Sequence, residues 1–505
     1  MPTAQVPATE IRPRTAIRWR VCALLLISTT LVYLNRTTLS VLKPLLEDKL
    51  HFGDAEYGWL QFSFTTAYTI MFVFAGRFVD FVGAKIALAA GVIFWSLATA
   101  AGGFCRAWQQ LAIAQFFLGC GASVNFPASF KAVAEWFPQR ERALAAGIFN
   151  SGSNVGIMIA FVAVVAANRL GWPWAFYVVG ATGLIWLVLW VPGYFSVDKH
   201  PSVSPEEVAY IRAGIPPAPP RVKFRWTEIL RYRQAWPFLI AKFLTDPVWW
   251  FYSNWLPDYL HKTRGLSVVG SAGWLAMPYI AADVGSICGG WLSGALMKRG
   301  FAVGPARYIA MGICALGMPG AIVAVHTNNF WLAISLISMA TAAHQGWSAN
   351  LFTTASDLFP TSVVGSVVGL GGMTGGVGGM IMTLLVGTTL ARMGTFVPIF
   401  VWAGLMHPLA WIIFFLIAGP RMKRAEMRQG GDRKLSLRLM ISGAVIGLIG
   451  IIRCDYVWSN WAWYLDPKTH SASAAGGALV AGCTVGLIGA GLVYASLPHA
   501  KNAGE

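Results

Sequence analysis

Twelve times before residue 420 the sequence runs for about twenty or more residues with few charges. In lipid every backbone N–H and C=O must be satisfied within the protein, so only α-helices and closed β-barrels can span a bilayer. Barrel strands alternate over roughly ten residues, whereas these runs are continuously apolar, which predicts an all-α polytopic membrane protein. Composition agrees: 56% of residues are hydrophobic and 12% charged, against roughly 25% charged in soluble domains. The net charge of +17 lies mostly in short segments between apolar runs. That is the pattern of a membrane protein's cytoplasmic loops rather than a nucleic-acid-binding face. The seven cysteines are scattered without metal-ligand spacing and read as packing residues.

The expected organisation is a tail at 1–17, a six-helix bundle at 18–195, a central loop at 196–235, a second six-helix bundle at 236–420, a basic linker at 421–435 and an added two-helix hairpin with tail at 436–505. Spans are placed near 18–43, 57–79, 85–105, 108–132, 143–168 and 172–195, then near 236–261, 269–297, 303–325, 329–354, 363–391 and 396–418. Two weaker candidates lie near 436–453 and 474–497. Arg12, Arg14, Arg18, Arg20, Arg77, Lys85, Arg140, Arg142, Lys223, Arg225, Arg231 and Arg233 fall on one side of this arrangement. Glu47, Asp48, Asp54 and Glu56 fall in the opposite loop at 44–56. The N-terminus and central loop are therefore expected in the cytoplasm, with the chain multi-pass in the membrane.

The two bundles also repeat one another. Glu135, Phe137 and Pro138 are matched by Asp357, Phe359 and Pro360, Gly147 by Gly369, Gly156 by Gly378 and Met158 by Met380, all at an offset of 222 residues. Parallel repeats of this kind are a transporter architecture, with substrate held between the halves near the midplane.

The stretch GRFVDFVGAK at 76–85, with Gly76, Arg77, Asp80, Gly83 and Lys85, resembles the G-x-x-x-D-x-x-G-x-R/K loop of the major facilitator superfamily. These residues are expected to gate rather than bind substrate. A narrower resemblance runs through YLNRTT (33–38), FPASFKAVAEWFPQRERALAAGIFNSGSNVG (126–156), FLTDPVWWFYSNWLPDYL (243–260), ADVGSICGGWLS (282–293) and AHQGWSANLF (343–352). Here the chain is similar to the anion:cation symporter branch, and within it to bacterial hexuronate transporters. The resemblance implies import of a sugar-acid anion by alternating access, coupled to protons, with no cofactor, no metal and no enzymatic activity.

It also implies that Arg36, on the first helix, binds the substrate carboxylate. The chemistry agrees, since a guanidinium stays charged and offers a planar fork to two oxygens. An arginine at the middle of a span costs about 2.5–3.5 kcal/mol on insertion scales, so its position needs a reason. Tyr33, one turn away, and Tyr68 suit a sugar's hydroxyls. Trp250 offers an apolar face, and Asn254, Gln345, Trp347, Asn350, Ser153 and Asn154 complete the candidate lining. Lys131 is a candidate either to meet the anion or to reach toward the cytoplasm. Asn35 stands where aldonate-carrying relatives have an acid, which fits the hexuronate side of the branch. Ala122 stands where the branch usually carries a fourth-helix acid, so the coupling proton needs another acceptor. Asp283, Asp246 and His344 are the candidates within spans, although Lys242 lies one turn from Asp246 and suits a structural pair.

The first reading is therefore a monomeric carrier of hexuronates such as glucuronate or galacturonate. Carriage of another organic anion, such as an aldonate, and a membrane receptor built on a transporter fold are the alternatives. The glycine-rich GSVVGLGGMTGGVGG at 365–379 lacks the G-K-S/T ending of a phosphate loop and reads as a close-packing helix surface.

Overall fold

A computed structural model describes residues 14–213, 226–264 and 272–425. The expected hairpin at 436–505 and most of the basic linker before it lie outside the described residues. The N-terminal half comprises α1 (Ile17–Leu50), α2 (Asp54–Val82), α3 (Ala84–Gly102), α4 (Trp108–Ala122), α5 (Asn125–Trp136), α6 (Gln139–Met158), α7 (Phe161–Leu170) and α8 (Trp172–Gly193). Two short helices, α9 (Pro205–Ala213) and α10 (Trp226–Ile229), belong to the central loop. The second half comprises α11 (Ala235–Arg264), α12 (Ala272–Lys298), α13 (Val303–Gly317), α14 (Gly320–His326), α15 (Phe330–Leu358), α16 (Val364–Met393) and α17 (Val397–Ala418).

Among the described residues ten helical runs are long and apolar enough to cross a bilayer. Some of those runs pair two consecutive helices, as Trp108–Trp136 and Val303–His326 do. The breaks within them follow proline chemistry: Pro127 lies in the first turn of α5 and Pro319 just before α14. With 30 and 29 residues, α11 and α15 are also of spanning length, but they carry Lys242, Asp246, His344 and Asn350. One expectation needs correction. The loop at 44–56 is mostly helix, because α1 continues to Leu50 with Leu46 and Leu50 buried and Lys43 paired with Glu47 at 3.1 Å. Glu47 and Asp48 thus ride on the last turns of a helix that ends where His51 turns left-handed at φ 51°.

The repeat is visible in backbone conformation. Phe137 and Phe359 end their helices at φ/ψ of −118/134° and −126/155°, and Pro138 and Pro360 follow at −62/152° and −63/149°. The matched glycines do matched work. A Cβ on Gly147 would lie 2.2 Å from the Ser286 carbonyl oxygen, and one on Gly369 would lie 2.4 Å from that of Phe72. Each is a contact between halves, α6 on α12 and α16 on α2. Gly156 and Gly378 instead press on the first helix of their own half, at Thr30 (2.4 Å) and Phe243 (2.6 Å). Backbones approach this closely only where no side chain intervenes.

These crossings bring the halves together at the face that carries the chain's N-terminus, the basic face. Gly290 and Gly294 of α12 meet the carbonyls of Ala143 and Arg140, and a Cβ added at either glycine would lie 2.1 and 2.6 Å, respectively, from those oxygens. Charged side chains fasten the same region. Asp80 accepts from Lys131 (2.9 Å) and from the backbone N–H groups of Gly365 (3.1 Å) and Ser366 (2.6 Å), so the carboxylate of α2 caps α16 of the other half. Arg307 donates to Asp357 (2.9 Å) and across to the Gln139 carbonyl (3.2 Å), while Arg142 donates across to that of Ser356 (3.1 Å). Lys85, last of the gating stretch, lies 3.5 Å from the Phe195 ring centroid, and Gly83 turns the chain at φ +85°.

Glu207 of α9 is wholly buried. It accepts from Thr15, from the Ile17 and Arg18 backbone N–H groups, and from the Arg18 guanidinium (2.9 Å), tying the central loop to the start of α1.

The close crossings yield a test. Gly290→Val drives side-chain atoms into the Ala143 carbonyl, an overpacking that costs typically about 1–3 kcal/mol. The expected outcome is a lower unfolding midpoint, together with faster labelling of a cysteine placed at Leu144. Unchanged labelling would mean that the halves do not need this approach to close.

Candidate functional site

Arg36 lies a little past the middle of α1, and its guanidinium faces three aromatic rings. The centroids lie 5.7 Å away at Tyr33, 5.1 Å at Phe64 and 4.7 Å at Trp250. The first two rings belong to the N-terminal half and the third to α11. Tyr33 and Arg36 share a face of α1 at i, i+3, and Phe64 and Tyr68 share one of α2 at i, i+4; Phe64 and Tyr68 stack at 5.5 Å. Among the described residues no carboxylate and no hydrogen-bond acceptor meets Arg36. Ring faces attract the cation, contributing roughly 0.5–2 kcal/mol each, but they fill none of its five donors. The side chain is half-buried, so its fork stays open to a ligand.

Below Arg36, toward the basic face, phenylalanine rings from both halves pack together. Phe352 stacks on Phe130 at 4.3 Å and on Phe126 at 5.8 Å, Phe149 meets Phe130 edge-on at 4.9 Å, and Phe126 reaches Tyr33 at 6.5 Å. Toward the opposite face the lining is polar. Ser40, one turn beyond Arg36, is exposed and accepts from Tyr57 (3.1 Å) and Gln61 (3.2 Å) of α2. Asn254, one turn beyond Trp250, is exposed as well. Arg36 thus lies between packed phenylalanine rings on the side of the basic face and exposed hydroxyl and amide groups on the other.

At the midplane a polar seam joins the halves. Asn154 of α6 donates to Asp283 of α12 at 2.6 Å, and Asn150, one turn earlier, donates to Gln345 of α15 at 2.8 Å. Asp283 is half-buried and has no cationic partner among the described residues. Ser153, beside Asn154, is buried with its hydroxyl unpaired.

Several expected site residues lie elsewhere. Lys131 is held by Asp80 at the crossing of α2 and α16 and does not meet Arg36. Asn35 donates to the Leu31 carbonyl of its own helix (2.8 Å), away from the face that carries Arg36. Trp347 is fully buried and donates to Thr245 (3.3 Å). Asn350 bonds the Gly289 carbonyl (2.8 Å) where α15 crosses α12. Asp246 forms the foreseen pair with Lys242, at 2.5 Å, packed against Gly375. His344 is not solitary: its Nδ1 lies 3.0 Å from Nε2 of His407 on α17, and Trp249 stacks on it at 5.4 Å.

Phe64, Asn150 and His407 were missed. Phe64 and Asn150 each stand four residues before a chosen candidate, Tyr68 and Asn154, so helical spacing alone could have found them. Nothing in the spacing links His407 to His344 across 63 residues.

Comparison with known proteins follows the same lines. Residues 25–383 match the family model described as Major Facilitator Superfamily. The chain is 32% identical over 410 residues to the hexuronate transporter of Escherichia coli (strain K12), covering 79% of this chain and 94% of that protein. It is 34% identical over 280 residues to the galacturonate transporter of Dickeya chrysanthemi, covering 55% and 81%. Among solved structures, the fucose:proton symporter FucP of E. coli superposes with a TM-score of 0.60 at 15% identity, covering 80% of this chain and 98% of that one. The proton:xylose symporter XylE superposes at 0.63 with 12% identity, covering 81% and 97%. A helical bundle with matched halves and glycine-paired crossings between them thus coincides with the match over most of the chain, and the protein belongs to the major facilitator superfamily.

Proposed function

We propose that this carrier imports hexuronates, sugar acids of the glucuronate and galacturonate type, across a bacterial inner membrane, with the basic face in the cytoplasm. The observation that carries the reading is Arg36, a permanent cation within a spanning helix that faces three aromatic rings and meets no carboxylate among the described residues. A carboxylate would take its fork in two parallel bonds. Trp250 and Phe64 then offer flat apolar surface to the sugar ring, and Tyr33, Tyr68, Asn254 and Gln61 offer partners to its hydroxyls. The phenylalanine packing on the basic side and the exposed Ser40 and Asn254 on the other support a state that receives substrate from outside. The named activities of the E. coli and D. chrysanthemi relatives support this substrate class. Carriage of an aldonate is the second reading, favoured by 27% identity to a D-galactonate transporter of E. coli over 427 residues.

Coupling to protons is assigned to Asp283. Ala122 leaves no acid on α4, Asp246 is neutralised by Lys242, and His344 and His407 bond to each other. Asp283 alone of these combines a half-open position with a bond that holds the two halves together. An ionised carboxylate binds the Asn154 amide more strongly than a neutral acid does. Protonation would therefore loosen the seam as the halves begin to part.

Two tests follow. Arg36→Ala and Arg36→Lys are expected to lower glucuronate uptake into proteoliposomes at least tenfold, the lysine variant because a point charge does not replace the fork. Uptake near the unmutated rate in Arg36→Ala would sink the assignment. Asp283→Asn is expected to abolish accumulation driven by an inward proton gradient while leaving counterflow exchange. Gradient-driven accumulation persisting in that variant would place the proton elsewhere.

A further inference from the structure

Beside the closed gate, a cleft of about 270 Å³ opens between the halves at the basic face. One wall is the start of α6, with Arg140, Glu141 and Leu144. The other is the end of α12, with Trp291, Lys298 and Arg299. Its electrostatics are one-sided. The single carboxylate, Glu141, is already occupied by Arg18 at 2.9 Å and by the hydroxyl of Tyr210. The Arg140 guanidinium lies over the Tyr210 ring at 4.8 Å. Lys298 and Arg299 are exposed, and neither has a carboxylate partner among the described residues. Trp291 is 58% exposed two turns deeper along α12.

Excess cations at the end of a spanning helix, with an indole about 10 Å further into the bilayer, match an amphiphile with a charged head. Basic pockets between helices at such a depth suit anionic headgroups.

We infer that the α6–α12 cleft binds the phosphodiester headgroup of an anionic phospholipid, and that this lipid favours the state in which the basic face is closed. The second part follows from the walls. One belongs to each half, and Gly294 brings α12 against the Arg140 backbone at the cleft itself, so the site exists as a unit only while α6 and α12 are packed. A ligand that binds one state stabilises that state. The inference depends on the cleft and not on which solute is carried.

The experiment uses the full-length protein in nanodiscs of phosphatidylcholine alone or mixed equally with phosphatidylglycerol. The unfolding midpoint and the lipid retained in native mass spectra are both read. Phosphatidylglycerol is expected to raise the midpoint by a few degrees and to remain bound. In Lys298→Gln/Arg299→Gln both effects are lost. The charge-preserving Lys298→Arg/Arg299→Lys and the distant Arg169→Gln keep them. The single variants replace the double variant should it fail to fold. Inorganic phosphate and glycerol 3-phosphate, added to phosphatidylcholine discs, are expected to do nothing. A full shift in the double glutamine variant overturns the site. An equal shift from free phosphate with the same residue dependence overturns the lipid as its source.

Discussion

Two pairs of helices, α2 with α16 and α6 with α12, touch backbone to backbone on one side of the membrane, and much of this protein's design depends on those contacts. Side chains adapt by changing rotamer, whereas carbonyl oxygens and Cα atoms packed against each other do not. Crossings made through Gly76, Gly147, Gly290 and Gly369 therefore have a closed arrangement that is either made or broken. Because the matched glycines Gly156 and Gly378 lock the same helices to their own halves, the halves separate as units. The hydrogen bonds at the crossings follow the same division. Asp80 capping α16, and Arg307 reaching the Gln139 carbonyl, act across the divide, whereas Glu207 fastens the central loop within the N-terminal half.

Charge within the membrane is arranged with similar strictness. Lys131 with Asp80, Lys242 with Asp246, and Arg307 with Asp357 are paired, as burial demands when the alternative is an isolated ion. Arg36 and Asp283 are the exceptions among the described residues of the cavity. They are the residues to which the proposed function gives the solute and the proton. Lacking a partner of opposite charge among the described residues sets these two apart from the abundant polar residues around them.

The sequence made the bundle legible because apolar run length, loop charge and the 222-residue repeat are all properties of the chain in order. Arg36 was legible for a related reason: a lone guanidinium in a span is unfavourable wherever it points. Direction was not legible. Lys131, Asn35, Trp347 and Asn350 have the chemistry of ligand-binding residues, but which face of a helix meets the cavity depends on its neighbours. Neighbours such as Asp80 for Lys131, or Gly289 for Asn350, come from distant parts of the chain. The continuation of α1 through 44–50 was hidden likewise, because buried Leu46 and Leu50 outweigh the charges that made the segment read as a loop.

The rings around Arg36 bear on the half of the cycle in which nothing is carried. A carrier must reset empty, and a bare cation exposed at mid-membrane would make that return slow. An acid fixed beside it would ease the return but compete with every arriving solute. On the proposed function, Tyr33, Phe64 and Trp250 provide an intermediate solution: their π-faces shelter the charge enough for the vacant protein to move, and would yield to a carboxylate that offers two bonds. Since Trp250 belongs to the opposite half from Arg36, that shelter also bridges the site, and an arriving anion must displace or share it. Turnover would then be governed by how weakly the empty site holds itself together as much as by how strongly it holds its cargo.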